Sequence, residues 1–214
     1  MNEKKIIPTD YKSRMNEIMS VSWKIFISQF INNRHVINKE APFQHHFAQI
    51  IRTVGELYSI NESDLFKVDL ETKLENIKGK SKYVDLTCQF DKIINCGIEL
   101  KFKLKRQGAQ DWGRIDSYVD IESLEIAILE KKEFDLGKFY LITDDTAYIN
   151  KSKRGSGTIF CLHDGHKTIP NHELNYPNNK GRHKVFVTLK NKYTMKWEKV
   201  NNWYFLEFTI ENVG

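Results

Sequence analysis

A chain of 214 residues that is 40% hydrophobic can fill one sizeable core, so a single domain over 1–214 is the expectation. Its 12% aromatic content, with 13 Phe and 9 Tyr, excludes a disordered chain, which lacks bulky apolar residues. The 33 basic against 28 acidic residues leave a net charge of +5, which favours a polyanionic partner without demanding one.

Over 10–33, Tyr11, Met15, Ile18, Met19, Ile25, Phe26 and Phe30 recur at helical intervals, with Asn32-Asn33 as a stop. A second helix over 42–60 places Phe43, Phe47, Ile50, Ile51, Val54, Leu57 and Tyr58 on one face, with Asn61 past its end. These are the N-terminal helices, 10–60. From Phe66 the period falls to two: Phe66, Val68 and Leu70 alternate with polar neighbours, and a GKSK turn leads to the strand YVDLTCQF, 83–90. After Asp91-Lys92, Cys96, Ile98, Leu100, Phe102 and Leu104 face one way, and Gly97, Glu99, Lys101 and Lys103 the other. One face of that strand carries the chemistry.

The connection RQGAQDWGR leads to a helix over about 116–132, and KFYLIT, 138–143, reads as a buried strand. The order implies an α/β layer arrangement, a mixed sheet flanked by helices. Beyond Asp144-Asp145, KVFVTLK (184–190) and WYFLEFTI (203–210) are strand-like, so 144–214 reads as a β-hairpin extension of the sheet. Trp203, Phe205 and Phe208 are assigned to the core.

Cys88, Cys96 and Cys161 form no CxxC pair and are odd in number, which fits free thiols in a reducing compartment. No window approaches the about 18 consecutive apolar residues of a membrane span. A cytoplasmic protein without a membrane partner is expected. Cys161, His163, His166 and His172 are of zinc-binding type, but their spacing matches no common framework, and a polar hairpin is the preferred reading.

The tripeptide (D/E)xK occurs five times, at Glu3-Lys5, Asp10-Lys12, Glu71-Lys73, Glu99-Lys101 and Glu130-Lys132. Only Glu99-Lys101 lies in an apolar-alternating strand whose predecessor carries its own acid, Asp85, between Val84 and Leu86. Asp is disfavoured inside strands, so its presence there marks a site. Mg²⁺ (or Mn²⁺) takes a few carboxylate oxygens and keeps waters to be activated. Asp85 and Glu99 are the expected metal ligands, with the Leu100 carbonyl as a third. Lys101 would orient or deprotonate the attacking water and steady the developing charge. The competing reading of Glu99 and Lys101 is a solvated strand face.

The strand YVDL, a short turn, and the strand IELK after a helix-strand lead-in resemble the PD-(D/E)XK nuclease superfamily, whose members share a restriction-endonuclease-like fold. The resemblance covers about 42–143 and implies that Asp85, Glu99 and Lys101 are the catalytic acids and lysine of a metal-dependent endodeoxyribonuclease. Val84 stands where the family name has proline. A further ligand from the lead-in helix remains open among Glu56, Gln44 and His45. Substrate contacts are expected from the cations Lys101, Lys103, Lys105, Arg106 and Arg114 to phosphates, and from Gln107, Gln110 and Trp112 to bases. A capped helix entry accounts nearly as well for Gln110 and Asp111.

The implied function is Mg²⁺-dependent cleavage of DNA, of the bacterial restriction or defence sort, with a homodimer suited to cutting both strands. Two alternatives stand beside it. One is a nuclease-like fold that only binds nucleic acid or protein; the other is a nuclease for RNA or for structured DNA.

Overall fold

In the computed structural model, which describes residues 7–176 and 185–212, the order begins with helices α1 (Tyr11–Ile31) and α2 (Glu40–Leu57). The extended Asp10 caps α1, its carboxylate accepting from the Ser13 N–H at 2.8 Å. The helix ends at Asn32, and Asn33 follows at φ +56°, a conformation asparagine tolerates. The apolar spacing gives each helix one buried stripe. The stripes meet in an aromatic cluster, where Phe26 lies 4.8 Å from Phe43 and Trp23 lies 5.5 Å from Phe47 between ring centroids.

Strands β1 (Phe66–Ile77) and β2 (Lys80–Phe90) pair antiparallel, from Phe66 opposite Phe90 to Ile77 opposite Lys80. Lys78 and Gly79 both have positive φ, the requirement of a tight hairpin turn, so the turn falls earlier than the GKSK reading. Gly55 fixes how closely α2 approaches this hairpin, because a Cβ there would strike the Phe66 ring. Beneath them Arg14 and Asp64 form a buried ion pair at 2.7 Å, with Tyr11 donating to the second carboxylate oxygen.

Strand β3 (Ile94–Lys103) is followed by α3 (Gln110–Glu125), which continues as a π-helical turn over Ile126–Glu130. Then come β4 (Leu136–Thr143), the short α4 (Thr146–Ile149), β5 (Glu173–Asn175), β6 (Phe186–Thr188), β7 (Trp197–Val200) and β8 (Trp203–Glu211). The result is an α/β fold with a six-stranded mixed sheet flanked by helices, in the order β1-β2-β3-β4-β8-β7. One pair in it is parallel. The link Asp91–Ile93 is too short for a parallel connection, so the parallel neighbours are β3 and β4, joined through α3.

The chain divides into two compact units, Met1–Gly97 and Ile98–Gly214, with the division inside β3. A single domain was the sequence expectation, and no linker composition marks the boundary.

Three sequence expectations change in the second unit. The third helix starts at Gln110 instead of 116, because contacts distant in sequence hold its first turn: the Asp111 carboxylate accepts from the Ser156 N–H and hydroxyl, and Gln110 donates to Asp145. The strand expected over 184–190 is only Phe186–Thr188, with Lys184 outside the described residues. Its later N–H groups, from Lys190 and Asn191, are taken by the Glu125 carboxylate. Finally, β8 and β7 extend the main sheet as expected, but β5 and β6 form a separate two-stranded sheet. Phe205 is buried, whereas Trp203 and Phe208 are half-buried, Phe208 stacking on Phe139 at 5.2 Å.

Cys88 and Cys96 are buried thiols and Cys161 is a half-buried one, none of them in a disulfide among the described residues. Among the described residues, no helix is long and apolar enough to cross a membrane.

Candidate active site

Strand alternation places Glu99 and Lys101 on the same side of β3. Neither is solvated: Glu99 is 4% and Lys101 8% exposed. The Lys101 ammonium lies 3.9 Å from Glu99 Oε2 and 2.5 Å from Asp120 Oδ2, the latter supplied by α3. Counting these three groups, two carboxylates face one cation in a water-poor setting. That arrangement is costly unless it is well paired. Its carboxylate oxygens are hard donors, the type of atom Mg²⁺ takes. Leu100, between the two motif residues, is buried in the strand.

Asp85 belongs to the first unit, on β2, half-buried and facing away from the buried Val84, Leu86 and Cys88. Its backbone oxygen accepts from Gln44 Nε2 at 2.6 Å, and the same nitrogen donates to Glu71 Oε1 at 2.9 Å. Of the three lead-in candidates, Gln44 is therefore the one placed against Asp85. His45 lies edge-on to His46, and Glu56 pairs with Arg52 at 3.9 Å on an exposed surface.

The expected substrate contacts divide into two sets. Lys103 is half-buried at the end of β3, and Lys105 and Arg106 are exposed on a single 3-10 turn, Lys105–Gln107. Gln107 closes that turn by accepting from the Leu104 N–H at 2.9 Å. Arg114 does not continue the run of surface cations. It is 5% exposed, donates to the Ala147 carbonyl at 2.6 Å and lies over the Tyr148 ring. Gln110 is likewise engaged, donating to Asp145 at 2.8 Å, while Asp145 caps α4 through the Ala147 N–H. The helix-capping alternative for Gln110 and Asp111 is also corrected: no side chain caps α3, and both residues bond to later segments.

Asp120 is the residue that reading the sequence missed. Its signal was available in the i, i+4 pair Asp116 and Asp120, half-buried on a helix whose neighbours Ile115, Tyr118, Ile121 and Leu124 are core. Two further acids of α3 are buried and structural. Glu122 accepts from the Thr188 N–H, and Glu125 accepts from the Tyr193 hydroxyl, the Lys190 N–H and the Asn191 N–H. Burial pushes the Glu125 carboxyl up, partly offset by these donors.

In the same unit, Cys161, His163 and His166 each bring a ligand-type atom within 4.8 Å of the other two, where a polar hairpin was expected. His172 lines the adjoining cavity.

No family model matches the chain, and no curated protein matches it. A solved structure described as "Crystal structure of SSO0001" aligns at 16% identity with a TM-score of 0.24, over 61% of this chain. The alignment spans 57% of that protein. A likeness of that size carries no argument about fold or function.

Proposed function

We propose that this protein is a Mg²⁺-dependent endonuclease that hydrolyses DNA phosphodiester bonds on a restriction-endonuclease-like core, in restriction or defence. The observation that supports the reading is the burial of the motif pair. A solubilising strand face would leave Glu99 and Lys101 in water, whereas both are nearly sealed and Lys101 is held between two carboxylates.

In this reading Glu99 and the Leu100 carbonyl would hold the metal, and the sequence resemblance implies Asp85 as a further ligand. Bound Mg²⁺ supplies Lewis acidity and a water of lowered pKa. Lys101 donates to the attacking water or to a non-bridging phosphate oxygen, adding positive charge where negative charge develops. Asp120 is a positioning residue that holds the ammonium on the strand's acidic side. The exposed Lys105 and Arg106 contact phosphates outside the reacting group, which sets register and not sequence preference. Two copies related by a two-fold axis would cut both strands of a duplex.

Calorimetric titration of Mg²⁺ and Mn²⁺ into the full chain tests the assignment. The reading expects binding by the wild type and its loss in Glu99→Gln and Asp85→Asn. A wild-type chain indifferent to both ions would contradict the reading and favour a nucleic-acid-binding or protein-interaction module.

A further inference from the structure

The turn Cys161–His166 carries a soft donor set that the phosphodiester chemistry does not use. Cys161 Sγ and one ring nitrogen each of His163 and His166 lie within 4.8 Å of one another. Tetrahedral zinc with Zn–S near 2.3 Å and Zn–N near 2.0 Å places such atoms roughly 3.3–3.8 Å apart.

The backbone beneath these side chains is fixed at almost every residue. The Cys161 carbonyl accepts from the buried Tyr118 hydroxyl at 2.7 Å, and the Leu162 carbonyl accepts from Trp197 Nε1 at 2.6 Å. The Asp164 N–H donates to the Ile149 carbonyl, while its carboxylate accepts from the Trp197 N–H. Gly165 takes φ +75°, the positive value at which a side chain would be strained, and the turn then returns His166 N–H to the His163 carbonyl at 3.1 Å. Met195 bonds to both Gly165 and His166. His163 Nδ1 lies 3.0 Å from the Asp164 carbonyl. A proton on Nδ1 donated there leaves Nε2 as the ligand, the outer-shell arrangement that orients metal-binding histidines.

We propose that Cys161, His163 and His166 bind one Zn²⁺ ion, with the fourth coordination position open to the adjoining cavity. That cavity, about 270 Å³, is lined by Tyr118, Cys161, His166, Thr168, His172 and Leu189. Thiolate and imidazole donors select zinc over the hard, oxygen-seeking Mg²⁺, so this centre is separate from the one at Glu99. Binding converts the Cys161 thiol, which donates to the Gly157 carbonyl at 3.3 Å, into a zinc thiolate and releases its proton to solvent. Three protein ligands leave room for a water or a small ligand in the cavity.

Cobalt substitution tests the site. Full-length protein freed of metal with EDTA is titrated with Co²⁺ and followed by absorption. The expected result is one equivalent bound, with a thiolate-to-cobalt charge-transfer band and the intensified visible bands of four-coordinate cobalt, all displaced by Zn²⁺. Cys161→Ser abolishes the charge-transfer band. His163→Ala, at a half-exposed position, weakens binding at least about tenfold. His172→Ala leaves stoichiometry and band unchanged. A wild-type titration without the band, a band that survives Cys161→Ser, or unchanged affinity in His163→Ala overturns the site. A fall in cobalt affinity or a change in the visible bands of His172→Ala overturns the open position.

Discussion

Lys101 Nζ lies closer to Asp120 Oδ2, at 2.5 Å, than to Glu99 Oε2, at 3.9 Å. The carboxylate that positions the lysine thus comes from α3 and not from the strand motif. Asp120→Asn removes that charge while keeping the shape, and is expected to lower kcat on DNA about 10–100-fold, the scale of losing an orienting partner. On the proposed nuclease reading KM should change little, because Asp120 is assigned to Lys101 and not to substrate. Steady-state kinetics separates the two constants, and an unchanged kcat would remove Asp120 from the site.

Acid stability of the first unit is expected to follow Asp64. Burial pushes its carboxyl up, but the Tyr11 hydroxyl, the Ile60 and Asn61 N–H groups and the Arg14 guanidinium outweigh that and hold it at about 2, below the ordinary 3.8. A carboxyl lowered on folding stabilises the fold above its unfolded pKa and loses that contribution as pH falls through the folded value. Asp64 therefore contributes about 2 kcal/mol above roughly pH 4, disappearing toward pH 2. Urea denaturation of wild type and Asp64→Asn across that range should show the difference between them shrinking with acid.

Removing Arg14 instead strands the Asp64 charge in the core. Arg14 also donates to the Pro8 and Thr9 carbonyls. Arg14→Ala is expected to cost about 3–5 kcal/mol. Arg14→Ala with Asp64→Asn should recover part of that loss in the same denaturation assay, since no uncompensated charge remains.

The cations near the site should behave as two classes. Lys105→Ala and Arg106→Ala, on the exposed turn, are expected to weaken DNA binding and flatten the dependence of log K on log salt by roughly 0.9 per lost contact. Arg114→Ala should leave that slope alone and lower thermal stability, because its guanidinium holds the Ala147 carbonyl and covers the Tyr148 ring. Fluorescence anisotropy at several salt concentrations, together with thermal melts, distinguishes the two effects.

Local patterns in the sequence carried much of this fold. Apolar spacing located α1 and α2, and alternation placed Glu99 and Lys101 on one side of β3, where the structure keeps them. What local pattern could not reveal depends on partners far along the chain. Gly113 and its polar neighbours look like a loop until Ser156 and Asp145 bond to the first turn of α3. The run around Phe186 reads as a long strand until Glu122 and Glu125 capture the nearby N–H groups. Asp120 reads as one more helix-surface acid until Lys101 reaches it. Cys161, His163 and His166 lack a familiar spacing, and their convergence depends on Trp197 and Met195, some thirty residues later.

Strand cleavage tests the assignment of Glu99 and Lys101 to phosphodiester hydrolysis. Supercoiled plasmid, single-stranded DNA and RNA are each incubated with the purified chain and Mg²⁺, with EDTA controls and with Lys101→Ala alongside. Wild type is expected to nick or linearise the plasmid in a Mg²⁺-dependent manner, and the variant is not. RNA cleaved while plasmid stays intact would move the substrate to RNA. A plasmid, a single strand and an RNA all untouched by wild-type protein with Mg²⁺ or Mn²⁺ would contradict the assignment of Glu99 and Lys101 to phosphodiester hydrolysis.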